Sequence, residues 1–142
     1  MHENIKKENE LKKEYLKSYG DAVRAEKAIE DEIQQLRLDR MFPSVVIDDM
    51  PHGSGGCSDL SGYAAKVDEL LEELRQSMEE RIELRREIVR KIEAVPIETE
   101  KLVLRLRYIQ GEPFEKIAVD LSYTYRHVTR LHGQALRDFK LS

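Results

Sequence analysis

Residues 114–131 read FEKIAVDLSYTYRHVTRL, and their pattern decides the fold. Phe114, Ile117, Ala118 and Leu121 recur at helical spacing, as do Val128, Leu131 and Ala135. Two short amphipathic helices are therefore expected. Ser122-Tyr123-Thr124 between them leaves room only for a turn. Thr124 is placed to cap the second helix, its hydroxyl accepting from a free backbone N–H. Ala118 is small enough to let the two helices approach closely. Two helices about so short a turn make a helix-turn-helix, whose second helix lies in the DNA major groove. Tyr125, Arg126, His127, Thr129 and Arg130 occupy its outward positions, and such side chains reach phosphates and base edges. The turn also needs a left-handed residue at Ser122, at a cost of about 1 kcal/mol.

Charge is distributed to match. The chain has 142 residues and a net charge of −4. Residues 1–96 hold 16 Lys and Arg against 22 Asp and Glu, whereas residues 97–142 hold 8 against 6. Within 124–142 Arg126, Arg130, Arg137 and Lys140 face a single acid, Asp138. Basic charge is thus concentrated where contact with phosphate would need it, and Arg137 and Lys140 join the candidate DNA-binding residues. The acidic remainder would keep DNA to that one face.

Upstream of this stretch, Pro96 stops or kinks a helix. Leu102, Leu104, Leu106, Tyr108 and Ile109 fill a third short helix over about 97–109, which Gly111 can end. Pro113 suits the first turn of the next helix. Residues 96–142 therefore read as a three-helix domain with its own apolar faces, caps and turns, expected to fold by itself.

Residues 1–95 read differently. A long helix over 3–41 has a weak seam at Leu11, Tyr15, Ser18, Ala22, Ala25, Ile29, Ile33 and Leu36. It would be about 58 Å long. Residues 42–62 hold two Pro, four Gly and four Ser, the composition of a linker or flexible loop. A second long helix over 63–95 carries a clearer seam at Val67, Leu71, Leu74 and Met78, continued by Ile82, Ile88, Ile92 and Val95. The expected fold is all-α: a long N-terminal helical hairpin, coiled-coil-like, serving self-association or partner binding, followed by the helix-turn-helix domain.

The segment LVLRLRYIQGEPFEKIAVDLSYTYRHVTRLHGQALRDF resembles the fourth conserved region of bacterial sigma factors over about the last third of the chain. The run YIQG…IA…LSYTYRHVTRLHGQAL, behind a long charged helix and a Gly-rich loop, is similar to small phage and prophage late-gene regulators of the ArpU and RinA type. These resemblances imply reading of a promoter element by the second helix. They place Tyr125, Arg126, His127, Thr129 and Arg130 where DNA contacts lie and Thr124 at the cap. The parts with which a complete sigma factor melts a promoter are not in this sequence.

Other chemistries find little footing. His127 and His132 are five apart and miss the spacing of a helical zinc pair. His52 and Cys57 supply two scattered ligands where zinc wants four. The carboxylates at 69, 72, 73, 79, 80 and 83 have Arg neighbours on a solvated helix. GSGG at 53–56 lacks the Lys and following helix of a phosphate loop. No catalytic constellation stands out, so neither an enzyme, a cofactor nor a metal is expected. A lone Cys57 and the lack of any long apolar run point to a reduced, cytoplasmic setting away from membranes, and the resemblance to phage regulators implies a bacterial host cell. The expected function is sequence-specific binding of double-stranded DNA in transcriptional control, as a homo-oligomer or in contact with RNA polymerase. Two alternatives stay open: a DNA-packaging protein like a small terminase subunit, and an interaction protein that binds polymerase or a sigma factor without touching DNA.

Overall fold

A computed structural model describes residues 1–41 and 56–142. It is all-helical, with no β-strand among the described residues. Helix α1 runs His2–Met41, α2 Gly56–Glu93, α3 Glu98–Leu104, α4 Phe114–Leu121 and α5 Tyr125–Asp138. A π-helical turn, Arg105–Ile109, extends α3. There the Gln110 N–H reaches back to the Arg105 carbonyl at 3.0 Å. Gly111, at φ +71°, then turns the chain.

The chain forms two compact units, one of residues 1–23 and 81–142, the other of residues 24–80. Both boundaries fall inside a helix, one within α1 and the other within α2. The reason is the core of the first unit. Leu16 and Tyr19 of α1 and Ile88, Ile92 and Val95 are buried together with Leu104, Tyr108, Ala135, Leu136 and Phe139. The three short helices therefore share their larger core with α1 and the end of α2. A second cluster of Val103, Ile117, Ala118, Val128 and Leu131 joins α3, α4 and α5.

The seam of α1 also differs from expectation. Leu11 is exposed, whereas Leu16 and Tyr19 are buried. This face buries more apolar area than one built from Ser18 and Ala22. It also places Lys12, only 5 % exposed, against the end of α5. There the ammonium donates to the carbonyls of Leu136 at 2.8 Å and Arg137 at 3.4 Å, two carbonyls that the helix leaves unpaired. At the margin of this contact the Tyr15 hydroxyl donates to Glu87 at 2.7 Å, and the Lys91 ammonium lies 4.3 Å from the Tyr15 ring centroid.

On α2, Leu70 is buried and Val67, Leu74 and Leu84 are half-buried, while Leu71, Met78 and Ile82 are exposed. The helix also begins earlier than expected. Residues 56–62 of the expected loop are helical, and the rest of that loop, 42–55, lies outside the described residues. Each Gly there costs about 1 kcal/mol in a helix. Ala64, Ala65 and the Arg40 guanidinium, 4.8 Å from the Tyr63 ring centroid, favour the helix nonetheless.

The α4–α5 turn follows the sequence closely. Ser122 is left-handed, with φ 58° and ψ 38°. The Tyr123 N–H bonds the Ala118 carbonyl at 2.9 Å and the Ser122 N–H bonds that of Val119 at 3.2 Å, which is a Schellman closure. Glycine would hold this backbone without a Cβ penalty. Ser122→Gly is expected to stabilise the protein by about 1 kcal/mol in urea denaturation. A destabilised variant would show that the Ser122 side chain matters more than the backbone strain.

Candidate nucleic-acid interface

The geometry of the interface starts from the cap. The Thr124 hydroxyl accepts from the His127 N–H at 3.1 Å, which fixes the first turn of α5. Behind that turn, Val128, Leu131, His132, Ala135 and Leu136 are buried. The opposite face is consequently turned to solvent. Thr124, Arg126, His127, Thr129 and Arg130 together line a shallow depression of about 500 Å³.

Within it the side chains order one another. The Arg130 guanidinium lies 2.8 Å from His127 Nδ1. Since Arg has no acceptor, Nδ1 accepts this bond, and a neutral His127 then carries its proton on Nε2. The Tyr123 ring meets the His127 ring edge-on at 4.7 Å. The Thr129 hydroxyl donates to the Arg126 carbonyl at 2.9 Å, back into its own helix. Arg126 and Arg130 have no carboxylate partner among the described residues. Their charge is available to an outside anion.

The remaining candidates are placed differently. Tyr125 is half exposed, but its ring packs edge-on against Phe114 at 6.4 Å, so it also supports α4. Arg137 is exposed beside Asp138, Nε to Oδ1 3.8 Å. It stands eleven residues from Arg126 on the same helical face, about 16 Å away along the axis. Lys140 lies past the end of α5 and lines a separate cavity of about 350 Å³ with Lys91, Pro96, Arg137 and Asp138. The depression therefore unites Thr124, Arg126, His127, Thr129 and Arg130, but not Arg137 or Lys140.

Two buried polar groups lie on or beside α5, His132 within the helix and Glu100 near its end at Asp138. His132 Nε2 is 2.6 Å from the Tyr108 hydroxyl, and the ring meets Phe114 edge-on at 4.9 Å. Burial, reinforced by the Lys13, Arg107 and Lys17 charges, pushes the His132 pKa down to about 4. Burial likewise pushes Tyr108 up to about 12. Glu100 is 1 % exposed and its Oε2 has no hydrogen-bond partner. Burial and the adjacent Asp138 carboxyl raise its pKa to about 7. Sequence spacing announces neither, because the buried histidine and glutamate occupy positions that suit a solvated helix equally well.

Among the described residues no group of three His, Cys, Asp or Glu side chains is placed to hold a metal ion, and no helix is long and apolar enough to cross a membrane. His52 and the Cys57 side chain lie outside the described positions. Compared with known protein families, curated proteins and solved structures, the chain matches none.

Proposed function

We propose that the chain binds double-stranded DNA in a sequence-specific manner through α4 and α5, used as a helix-turn-helix, in phage or prophage transcriptional control. One observation carries the reading. The capped, exposed first turn of α5 presents Arg126 and Arg130 without carboxylate partners, on a helix whose other face is fixed in the core. Arginines without carboxylate partners near the start of a helix that follows a tight turn match the way such helices enter the major groove. Arg126 and His127 are the candidates for base edges, while Arg137 and Lys140 are the candidates for phosphate. The N-terminal helices serve as a hairpin for self-association or polymerase contact. That part is supported by Leu71 and Met78, apolar side chains that α2 leaves exposed.

The test is selection of bound duplexes from a genomic library, followed by binding to a selected and a random duplex across a salt series. Arg126→Ala is expected to lose about 1–3 kcal/mol of discrimination, as for a bidentate contact with guanine. Arg137→Ala and Lys140→Ala are expected to weaken both duplexes alike and to lower the salt slope by about one. If Arg126→Ala and Arg130→Ala both leave binding unchanged, α5 is not the reading head. A polymerase-binding role then moves ahead, and a ring-sized mass in solution would point to packaging.

A further inference from the structure

One residue of α5 goes unexplained by its own fold. Gly133 sits in the interior of a fourteen-residue helix. An interior glycine weakens a helix relative to alanine. Gly111 is accounted for by its φ of +71°, but Gly133 has no such backbone, and a Cβ built on it would meet nothing within 4 Å. Neither strain nor packing calls for glycine there.

Its position says what does. Gly133 follows Arg126 by seven residues and Arg130 by three, and precedes Arg137 by four. These four residues form one straight row on the solvent face of α5, opposite the buried Val128, Leu131, Ala135 and Leu136. Arg130 and Arg137 stand on either side of the glycine, about 10 Å apart along the axis. The row carries three arginines, and between Arg130 and Arg137 it has a notch where the helix has no side chain. Glycine in such a place permits another backbone to come close. Arginines on both sides of it fit a polyanion.

We infer that the notch at Gly133 receives a sugar-phosphate strand of duplex DNA, with Arg130 and Arg137 straddling that strand. This inference rests on the DNA-binding reading and deepens it. Helix α5 then lies along the duplex from Arg126 to Arg137 and does not touch it by its first turn alone. The contact at Gly133 is with the backbone, so it acts on every sequence.

The experiment compares Gly133→Ala and Gly133→Leu with the parent protein, on the selected duplex and on a random one, beside thermal unfolding. Both variants are expected to unfold about 2–4 °C higher, since each removes a helix-weakening glycine. Gly133→Leu is expected to bind both duplexes at least about tenfold more weakly, the effect of pressing a side chain into a filled contact. Gly133→Ala should fall between Leu and the parent. Undiminished binding by Gly133→Leu overturns the inference, as does a loss confined to the selected duplex, which would place residue 133 against base edges. Arg126→Ala and Arg130→Ala separate the two levels. If they weaken binding while Gly133→Leu does not, only the notch is refuted; if none of them matters, the DNA reading itself has failed.

Discussion

Residues 97–142, cut free of the rest of the chain, are expected to lose most of their helical circular dichroism and to show no cooperative unfolding transition. Excision removes Leu16, Tyr19, Ile88, Ile92 and Val95 from the core that Leu104, Tyr108, Leu136 and Phe139 share with them. Burying one such side chain contributes about 1.5–3 kcal/mol. Five of them together approach the whole stability of an ordinary domain, about 5–15 kcal/mol. Excision also strips the ammonium of Lys12 from the Leu136 and Arg137 carbonyls. Two point variants separate these losses within the full chain. Leu16→Ala, at a fully buried site, is expected to cost about 2–5 kcal/mol. Lys12→Met keeps the aliphatic stem and removes the charged hydrogen bonds, at about 1.5–3 kcal/mol. A sharp urea transition in the isolated fragment would show that α3–α5 need no help from α1 and α2.

The second large effect is a dependence of stability on pH with two opposed limbs. The folded pKa of His132 lies at about 4, below its ordinary value of 6.5. Its stabilising contribution is present above pH 6.5 and is lost as pH falls towards 4, because the unfolded chain takes up the proton first. Glu100 runs the other way. Its folded pKa of about 7 lies above the ordinary 4.5, so its contribution is present below pH 4.5 and lost as pH rises through 7. Between about 4.5 and 6.5 the limbs oppose each other and stability should be nearly flat. Glu100→Gln keeps the shape and removes the ionisation. The variant should gain steadily on the parent as pH rises, reaching about 2–3 kcal/mol by pH 8, with little difference at pH 4. Urea denaturation of both proteins from pH 4 to pH 8 measures this. A constant difference across that range would mean that Glu100 is ionised in the fold without penalty.

What could be read from the sequence was what depends on near neighbours. The Thr124 cap, the left-handed Ser122 and the buried face of Val128, Leu131 and Ala135 are each set within a few residues, and the structure has all of them. What could not be read depends on distant partners. Lys12 looks like one more surface lysine until the end of α5 is placed beside it. Leu11 and Leu16 are equally good seam residues until the core decides for Leu16. Glycines 56 and 62 look like linker, yet lie in α2. Of the eight residues expected to contact DNA, the structure gathers Thr124, Arg126, His127, Thr129 and Arg130 around one depression and sets Tyr125, Arg137 and Lys140 apart from it. Gly133 drew no notice in the sequence, since a glycine becomes informative only once the space around it is known to be empty.

The bond from Lys12 to Leu136 has a bearing on how the protein comes to be folded. It joins residues 124 apart, so the first unit closes over nearly the entire sequence. Helical proteins usually refold fast because their contacts are local, and rates fall as contacts become more distant. Refolding should therefore lag behind that of a bundle with short connections, although every element among the described residues is a helix. Synthesis meets the same constraint: Leu16 and Tyr19 emerge early and meet none of their core partners until residues 88–95 have followed, nor the last of them until residues 135–139. For most of that interval the nascent chain carries a bare apolar stripe, the kind of surface that chaperones hold and that neighbouring chains on the same message would otherwise find.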